Sequence, residues 1–448
     1  MNMEANSQTK LAGIDGVRAI ACLMILFHHA FQHGSSHPQW QFFSAILPLF
    51  LTSAPAGVCV FFVLSGLLLS LPFWKNYLNG SPMPSLQNYA WRRLARIVPG
   101  FFLVLTASFI VQSIFVTDVK FELRRILAGF SFLSGFHYST LFPVETNGPL
   151  WSISFEMFSY LMLPFFMLGL FIWSRKRDFS RGFLYWCGVL LFVFLINHYI
   201  RIFFQTGNIE KGWEFGLIGG AKYWMPDYNP IGFFAHFSMG IFAAGFIAFI
   251  NQNSNIQNFF MRFSLFDLLA TIGLILCILI LWTQRYYDTP GHPQSSLTFQ
   301  AQPYFYPFFP ASVALVVAAA PFTRWVRVSL DNKFFVYTAK ISYGLYLWHF
   351  LVMYIASRYV PEYFQGRFLV ENNTAEDFYR WAFLTAIVLF VSFGIASASW
   401  FLIEKPILNF KPKSASTHLS NAGMAVAFDV EQAAAFHEKY NTKKEASR

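Results

Sequence analysis

The chain has 448 residues, of which 56% are hydrophobic and only 12% charged, with 57 phenylalanines and 13 tryptophans. Soluble proteins carry about 25% charged residues, so a water-soluble globular fold is excluded and an all-α polytopic membrane helix bundle is expected. The formal net charge of +10 is spread through short loops between apolar runs, which suits loops that hold a membrane topology and does not call for nucleic acid.

Apolar runs long enough to cross a hydrocarbon core, about 17–25 residues, fall at ten places: 14–33, 55–74, 98–116, 149–174, 183–204, 231–251, 265–283, 304–322, 338–359 and 380–403. The first ten residues lack a basic leader, and no small-residue cleavage site follows the first run, which therefore reads as an uncleaved first span. The segment 123–136 is too short to cross and reads as an interfacial or re-entrant helix. The expected organisation is a cytoplasmic segment at 1–10, a transmembrane domain at 11–410 and a polar cytoplasmic tail at 411–448. An even number of spans puts both ends on one side. Basic residues concentrate in the loops of that side, among them Lys75, Arg92, Arg93, Arg96, Arg175, Lys176, Arg177 and Arg181. The bias places both termini in the cytoplasm of a multi-pass protein of the plasma or bacterial inner membrane. Cys22, Cys59, Cys187 and Cys277 sit inside apolar runs, so neither a disulfide framework nor a metal site is signalled.

Ionisable residues inside a span are costly and point to function. The first span, "VRAIACLMILFHHAFQHG", carries Arg18, His28 and His29. At 100° per residue Arg18 and His29 lie about 20° apart in azimuth and about 16 Å apart along the axis. Asp15 falls within about 40° of His29, whereas His28 turns roughly 80° away from Arg18. Asp15, Arg18 and His29 thus form one polar stripe through Cys22 and Ile25, a water- or ligand-lined face. In the fourth span Glu156, about two turns below the outer surface, is expected at the depth of His29. There it would raise the basicity of the imidazole and fix its tautomer. The alternative is a structural Glu paired with an arginine.

Arg93 and Arg96 share one helical face at the inner end of the third span, with Pro99 in the span's first turn. Paired guanidiniums suit phosphate oxygens, although ordinary loop charge or anionic lipid accounts for them equally well. His349, midway through the ninth span, is a ligand contact or a packing residue. Glu404, at the inner edge of the tenth, is expected to pair with a basic residue. His198, His236 and His292 are singletons near the outer face.

Six segments in order resemble the membrane-bound acyltransferase family 3, over residues 11 to 410. They are "LAGIDGVRAIACLMILFHH", "FFVLSGLLLS" around Ser65 and Gly66, "RRLARIVP", "PLWSISFEMFSYL", "ISYGLYLWHF" and "LIEKP". Ser159 departs from the family, which often has an aromatic there. The resemblance implies an O-acyltransferase whose members mostly modify carbohydrates of the bacterial envelope. Its donor would be acyl-CoA, in particular acetyl-CoA, as a co-substrate with no bound cofactor or metal. Its acceptor would be an envelope glycan or glycolipid at the outer side of the lipid bilayer. On that reading His29 and Glu156 are catalytic, Arg18, Arg93 and Arg96 bind the donor, and Asp15, His349 and Trp151 support them. Many relatives carry a fused hydrolase-like outer domain, and here acceptor choice is expected to rest on the chain's own outer loops. Two other readings stay open: acyl transfer to a small lipophile such as a macrolide or lipid, and a transporter using the polar stripe as its path. The inverted symmetry common in transporters is not visible in the sequence.

Overall fold

Helices stand at all ten apolar runs. The computed structural model describes residues 11–32, 56–173, 176–287, 303–360 and 375–410. The expected end segments 1–10 and 411–448, and His292, lie outside them. Within the unit Ala12–Leu408, the helices in chain order are α1 Ile14–Gln32, α2 Ala56–Leu78, α3 Leu86–Phe115, α4 Glu122–Phe130 and α5 Trp151–Trp173. Next come α6 Phe179–Phe203, α7 Gly216–Trp224, α8 Pro230–Gln252, α9 Ser254–Arg262 and α10 Leu265–Tyr287. Then follow α11 Phe308–Ala319, α12 Arg324–Leu330, α13 Lys333–Tyr359 and α14 Ala375–Ser399, which runs on through a π turn at Trp400–Glu404 into a last short helix, Lys405–Asn409. Among the described residues there is no strand.

Seven of the described helices are long and apolar enough to cross a membrane, or eight if the bent pair α11–α12 is one span. The chain is a multi-pass membrane protein. Helices α1 and α13, which carry Arg18, His28, His29, Lys340 and His349, are not counted in that set. The eighth run departs from expectation: α11 has only 12 residues and turns through Ala320–Phe322 into α12, a bend of 92°. Pro321 sits in that turn and has no N–H to continue the helical ladder. Pro99 also differs, since α3 begins at Leu86 and carries Pro99 in its interior rather than its first turn.

Helices α2 and α8 form the centre. Their most apolar windows are 78% buried, against 22–39% for the other crossing helices. They touch backbone to backbone: a Cβ on Gly66 would stand 2.0 Å from the Phe237 carbonyl oxygen, and one on Gly240 1.9 Å from that of Val63. Small residues permit such an approach where lipid gives no hydrophobic drive between helices. Around this pair, α1 packs on α2 and α13, α13 on α14, and α5, α6 and α11 on α8. Cys22 and Leu26 of α1 meet Ile341 and Leu345 of α13 and Ala396 of α14 in one buried cluster.

Between α4 and α5 the chain enters the bundle without a regular helix. Leu141, Val144, Thr146, Asn147 and Leu150 are all fully buried. Arg125, itself buried, anchors the entry: its Nε donates to the Phe142 carbonyl at 2.7 Å, and it pairs with Glu145. Glu145 N donates to Gln112 Oε1 at 2.6 Å, and Thr146 Oγ1 to the Ser108 carbonyl at 2.8 Å. Asn147 Nδ2 then donates to Leu347 O at 3.0 Å, midway along α13. Irregular backbone at membrane depth persists only where protein or a polar cavity surrounds it, and these bonds supply that surrounding. The expected re-entrant element at 123–136 is therefore a short helix followed by a longer buried segment, and α5 starts deep in the bundle.

Candidate active site

His29 and His349 face each other across the α1–α13 contact. His29 Nδ1 and His349 Nε2 are 2.9 Å apart, and the rings stack with centroids 5.0 Å apart. His349 Nδ1 lies 3.0 Å from the Leu345 carbonyl oxygen, which accepts only, so this nitrogen carries the proton. With both rings neutral, His349 Nε2 is then a bare acceptor and His29 Nδ1 must donate to it. The lone pair of His29 is left on Nε2. A histidine with its donor nitrogen held and its other nitrogen unprotonated is arranged as a general base. His28 packs beside it with ring centroids 5.1 Å apart.

Glu156 does not sit at this level. Its carboxylate accepts from Ser65 Oγ at 3.2 Å and from the Tyr160 hydroxyl. The expected Glu156–His29 pairing fails because α5 does not start at the surface. Its first turn is bonded to α13: Tyr346 Oη is 2.8 Å from the Pro149 carbonyl and 2.6 Å from Ser152 Oγ. From that shared level His349 lies three residues along α13 in one direction and Glu156 four along α5 in the other. At about 1.5 Å per residue they are about 10 Å apart along the bundle axis. Tyr160, four residues beyond Glu156 and so on its helical face, is the partner that the sequence reading missed. Ser65 was marked only as part of a motif.

The three arginines gather nearer the N-terminal end of α1, here called the arginine end; the histidines mark the other. Arg18 lies within electrostatic reach of Arg96, Asp15, Tyr160 and Arg93, and Glu156 within reach of Arg93 and Arg96. Arg18 and Arg93 make no hydrogen bond or ion pair among the described residues. Arg96 is engaged: its Nη1 donates to Glu404 at 2.9 Å, and its guanidinium lies over the Trp400 and Tyr343 rings. Glu404 thus has the basic partner expected for it. The polar stripe of α1 is closed in its middle, since Cys22 and Ile25 are fully buried. Half-buried Ser65, Glu156 and Tyr343 instead run between the two ends. Trp151 is buried among the rings of Phe155, Trp224, Tyr228 and Phe233 and braces the start of α5.

A family model described as an acyltransferase domain matches residues 11–401. The chain belongs to this family. Among curated proteins it is similar to a putative O-acetyltransferase of Staphylococcus aureus (strain COL), 26% identical over 374 residues, covering 78% of this chain and 52% of that one. It is also similar to the O-acetyltransferase OatA of Staphylococcus aureus (strain NCTC 8325 / PS 47), 24% identical over 209 residues, covering 44% and 32%. The chain spans about half the length of the first of these relatives. No solved structure matches it.

In this acyltransferase-family chain no group of three His, Cys, Asp or Glu side chains is placed to hold a metal among the described residues. His236 is buried and pairs with Cys59, Nδ1 to Sγ 3.4 Å, on α8 and α2 respectively. At the histidine end a cleft of about 370 Å³ opens between the re-entrant segment and the α7–α8 connection, lined by His137, Tyr138, Thr206 and Asn229 among others. Partial burial and the nearby Arg124 hold the His137 imidazole below its ordinary pKa. Beside the cleft, burial pushes the Asp227 carboxyl up against the pull of Arg201, whose Nε donates to it at 2.6 Å.

Proposed function

We propose that this chain is a membrane O-acyltransferase that moves an acyl group, acetyl in the first instance, from acyl-CoA to a hydroxyl of an envelope carbohydrate or glycolipid. The observation that carries the reading is the His29–His349 bond, which puts the lone pair of a neutral His29 on Nε2 at one end of the helix that bears Arg18 near its other end. The CoA phosphates meet Arg18 and Arg93, which make no hydrogen bond or ion pair among the described residues, with Arg96 adding field. Glu156, held by Ser65 and Tyr160, balances that cationic cluster rather than orienting the base. The acceptor hydroxyl arrives at the histidine end, where the cleft is of the size that small ligands occupy. His29 Nε2 takes the hydroxyl proton as the oxygen attacks the thioester carbonyl. The tetrahedral intermediate collapses, the C–S bond breaks, and the CoA sulfur leaves with the proton returned by the imidazolium. His349 stabilises that imidazolium through the same bond.

The excess of basic loop residues at the arginine end supports a cytoplasmic side for it and for both termini. Reporter fusions at Arg177 and at the C-terminus should both report inside, and an outside signal from the second would break the ten-span topology. The function itself is tested with purified protein, acetyl-CoA and an envelope glycolipid fraction, following free thiol. Release that needs both acceptor and His29 supports the reading. A transporter would release no thiol. Mass spectrometry of envelope glycans from a deletion strain, read for a lost acyl mass, identifies the acceptor class, and no lost mass would turn the search to lipophiles.

A further inference from the structure

The tip of the re-entrant segment holds two features that packing alone leaves unexplained. Asn147 is fully buried and both of its side-chain bonds among the described residues use Nδ2, to Ser108 Oγ at 3.2 Å and Leu347 O at 3.0 Å. Its Oδ1 is a buried acceptor with no partner among the described residues. Native structures rarely leave such an atom unmatched, because its desolvation is not repaid. The next residue, Gly148, is also buried. Yet no heavy atom of the described residues, its chain neighbours apart, lies within 4 Å of where its Cβ would stand. A buried glycine beside open space and a buried acceptor lacking a donor occur side by side.

Their depth says what passes there. Leu347, which receives the Asn147 bond, precedes His349 by two residues, or about 3 Å of helix rise on the arginine side of the base. Pro149 and Ser152, just after the tip, bond to Tyr346, which is one turn before His349 on the same face of α13. The tip thus stands immediately inward of the reacting position. A donor entering at the arginine end must bring its thioester past it, whereas a hydroxyl entering at the histidine end need not reach it. The arm of CoA carries secondary amides, each with an N–H to give.

We propose that Asn147 and Gly148 form a subsite for the donor arm, in which an arm amide N–H donates to Asn147 Oδ1 and the amide lies in the space beside Gly148. This rests on the acyl-CoA reading above. Gly148 has no left-handed backbone to protect, since the positive-φ glycines are Gly13, Gly80, Gly212 and Gly216. A methyl at Gly148 meets no described atom beyond its chain neighbours, and because the residue precedes Pro149, whose ring disfavours helical backbone in a residue that bears a Cβ, the melting temperature of each variant is measured before its affinity is read.

The test measures equilibrium binding of CoA, and separately of adenosine 3′,5′-bisphosphate, which keeps the charged half of CoA and lacks the arm. It uses the purified full chain and the variants Gly148→Ala, Gly148→Val and Asn147→Ala. The expected result is a CoA affinity lower by about tenfold for Asn147→Ala and falling in steps from Gly148→Ala to Gly148→Val. Bisphosphate affinity should stay at the wild-type value. Asn147→Ala also removes two structural bonds, so the Gly148 pair keeps the test sharp if that variant does not fold. Unchanged CoA affinity in folded Gly148→Val would overturn the subsite, and so would an equal loss for both ligands. A wild-type protein that binds neither ligand would instead refute the acyl-CoA reading on which the subsite rests.

Discussion

His349→Asn and His349→Gln differ in one respect that matters. The amide of Asn ends near the position of imidazole Nδ1, so it keeps a donor for the Leu345 carbonyl but offers nothing to His29. The longer Gln can place an amide oxygen near the position of Nε2, the atom 2.9 Å from His29 Nδ1. In the ground state the lost bond is between neutral groups. When His29 takes the hydroxyl proton, Nδ1–H becomes part of a cation, and a hydrogen bond to a charged group is worth about 1.5–3 kcal/mol. At about 1.36 kcal/mol per tenfold in rate, losing it slows transfer by about ten- to 150-fold.

The assay is thiol release at saturating acetyl-CoA, with donor affinity measured in parallel. The expected order of kcat is wild type, then His349→Gln with most of the activity, then His349→Asn lower by the factor above, with donor affinity unchanged throughout. A structural role would make both variants equally poor, because both lose the packed imidazole. Equal rates for Asn and Gln, or a fully active Asn variant, would refute the tautomer argument.

His29→Ala should lose about 10²–10⁴-fold in rate, the usual cost of removing a general base, while His28→Ala keeps substantial activity. Equal loss in two inserted proteins would refute the helical-face argument for His29. Arg93→Ala should weaken donor binding about tenfold or more with little change in melting temperature. Arg96→Ala should melt earlier as well, because it leaves Glu404, 1% exposed, without its partner. Breaking a buried pair costs about 3–5 kcal/mol, and the 22% exposure of Arg96 puts this one at the low end. Gly66→Ala should prevent recovery of folded protein on size-exclusion chromatography, since its methyl would stand 2.0 Å from a carbonyl oxygen that belongs to backbone. A monodisperse, active Gly66→Ala protein would show that α2 and α8 can separate.

The spans were legible because hydropathy is summed over twenty residues and survives small errors of boundary. The α1 stripe was legible for a similar reason: helical azimuth is fixed by counting, so Arg18, Cys22, Ile25 and His29 had to share a face. That face packs on α13, with Cys22 Sγ 3.5 Å from the Ser342 carbonyl oxygen and His29 bonded to His349. Counting could not tell which stretch of the face would stay open, and its middle is closed. Depth was not legible for Glu156, because depth counted from a surface assumes that the helix begins at one. The start of α5 is set by non-local bonds from Asn147 and Tyr346 to residues some two hundred positions away, and no local pattern carries them. Tyr160 was within reach of the sequence, four residues from Glu156 on its helical face. The His349 tautomer was not, since it depends on a ring nitrogen meeting its own helix's carbonyl.

The re-entrant segment explains why the two ends of the site are staggered rather than opposed. Had α5 begun at the surface, Glu156 would stand nearer the level of His29, and a carboxylate there would take up the space next to the imidazole. Starting α5 about midway along α13 moves that carboxylate about 10 Å toward the arginines, within reach of Arg93 and Arg96. Bringing irregular backbone to this depth requires its polar groups to be met by protein, and nearly all of the named ones are: Phe142 O and Glu145 by Arg125, Glu145 N by Gln112, Thr146 and Asn147 Nδ2 by Ser108 and Leu347. Two buried side-chain atoms of this framework stay unmatched, Arg125 Nη2 and Asn147 Oδ1. They differ in kind. Arg125 already satisfies the segment with its other nitrogens, so its spare donor is the surplus of a residue with five. Asn147 has a single acceptor atom on its side chain and leaves it bare beside a glycine that no described side chain fills. A framework that matches so much around that atom is better explained by an occupant still to come than by a defect in packing.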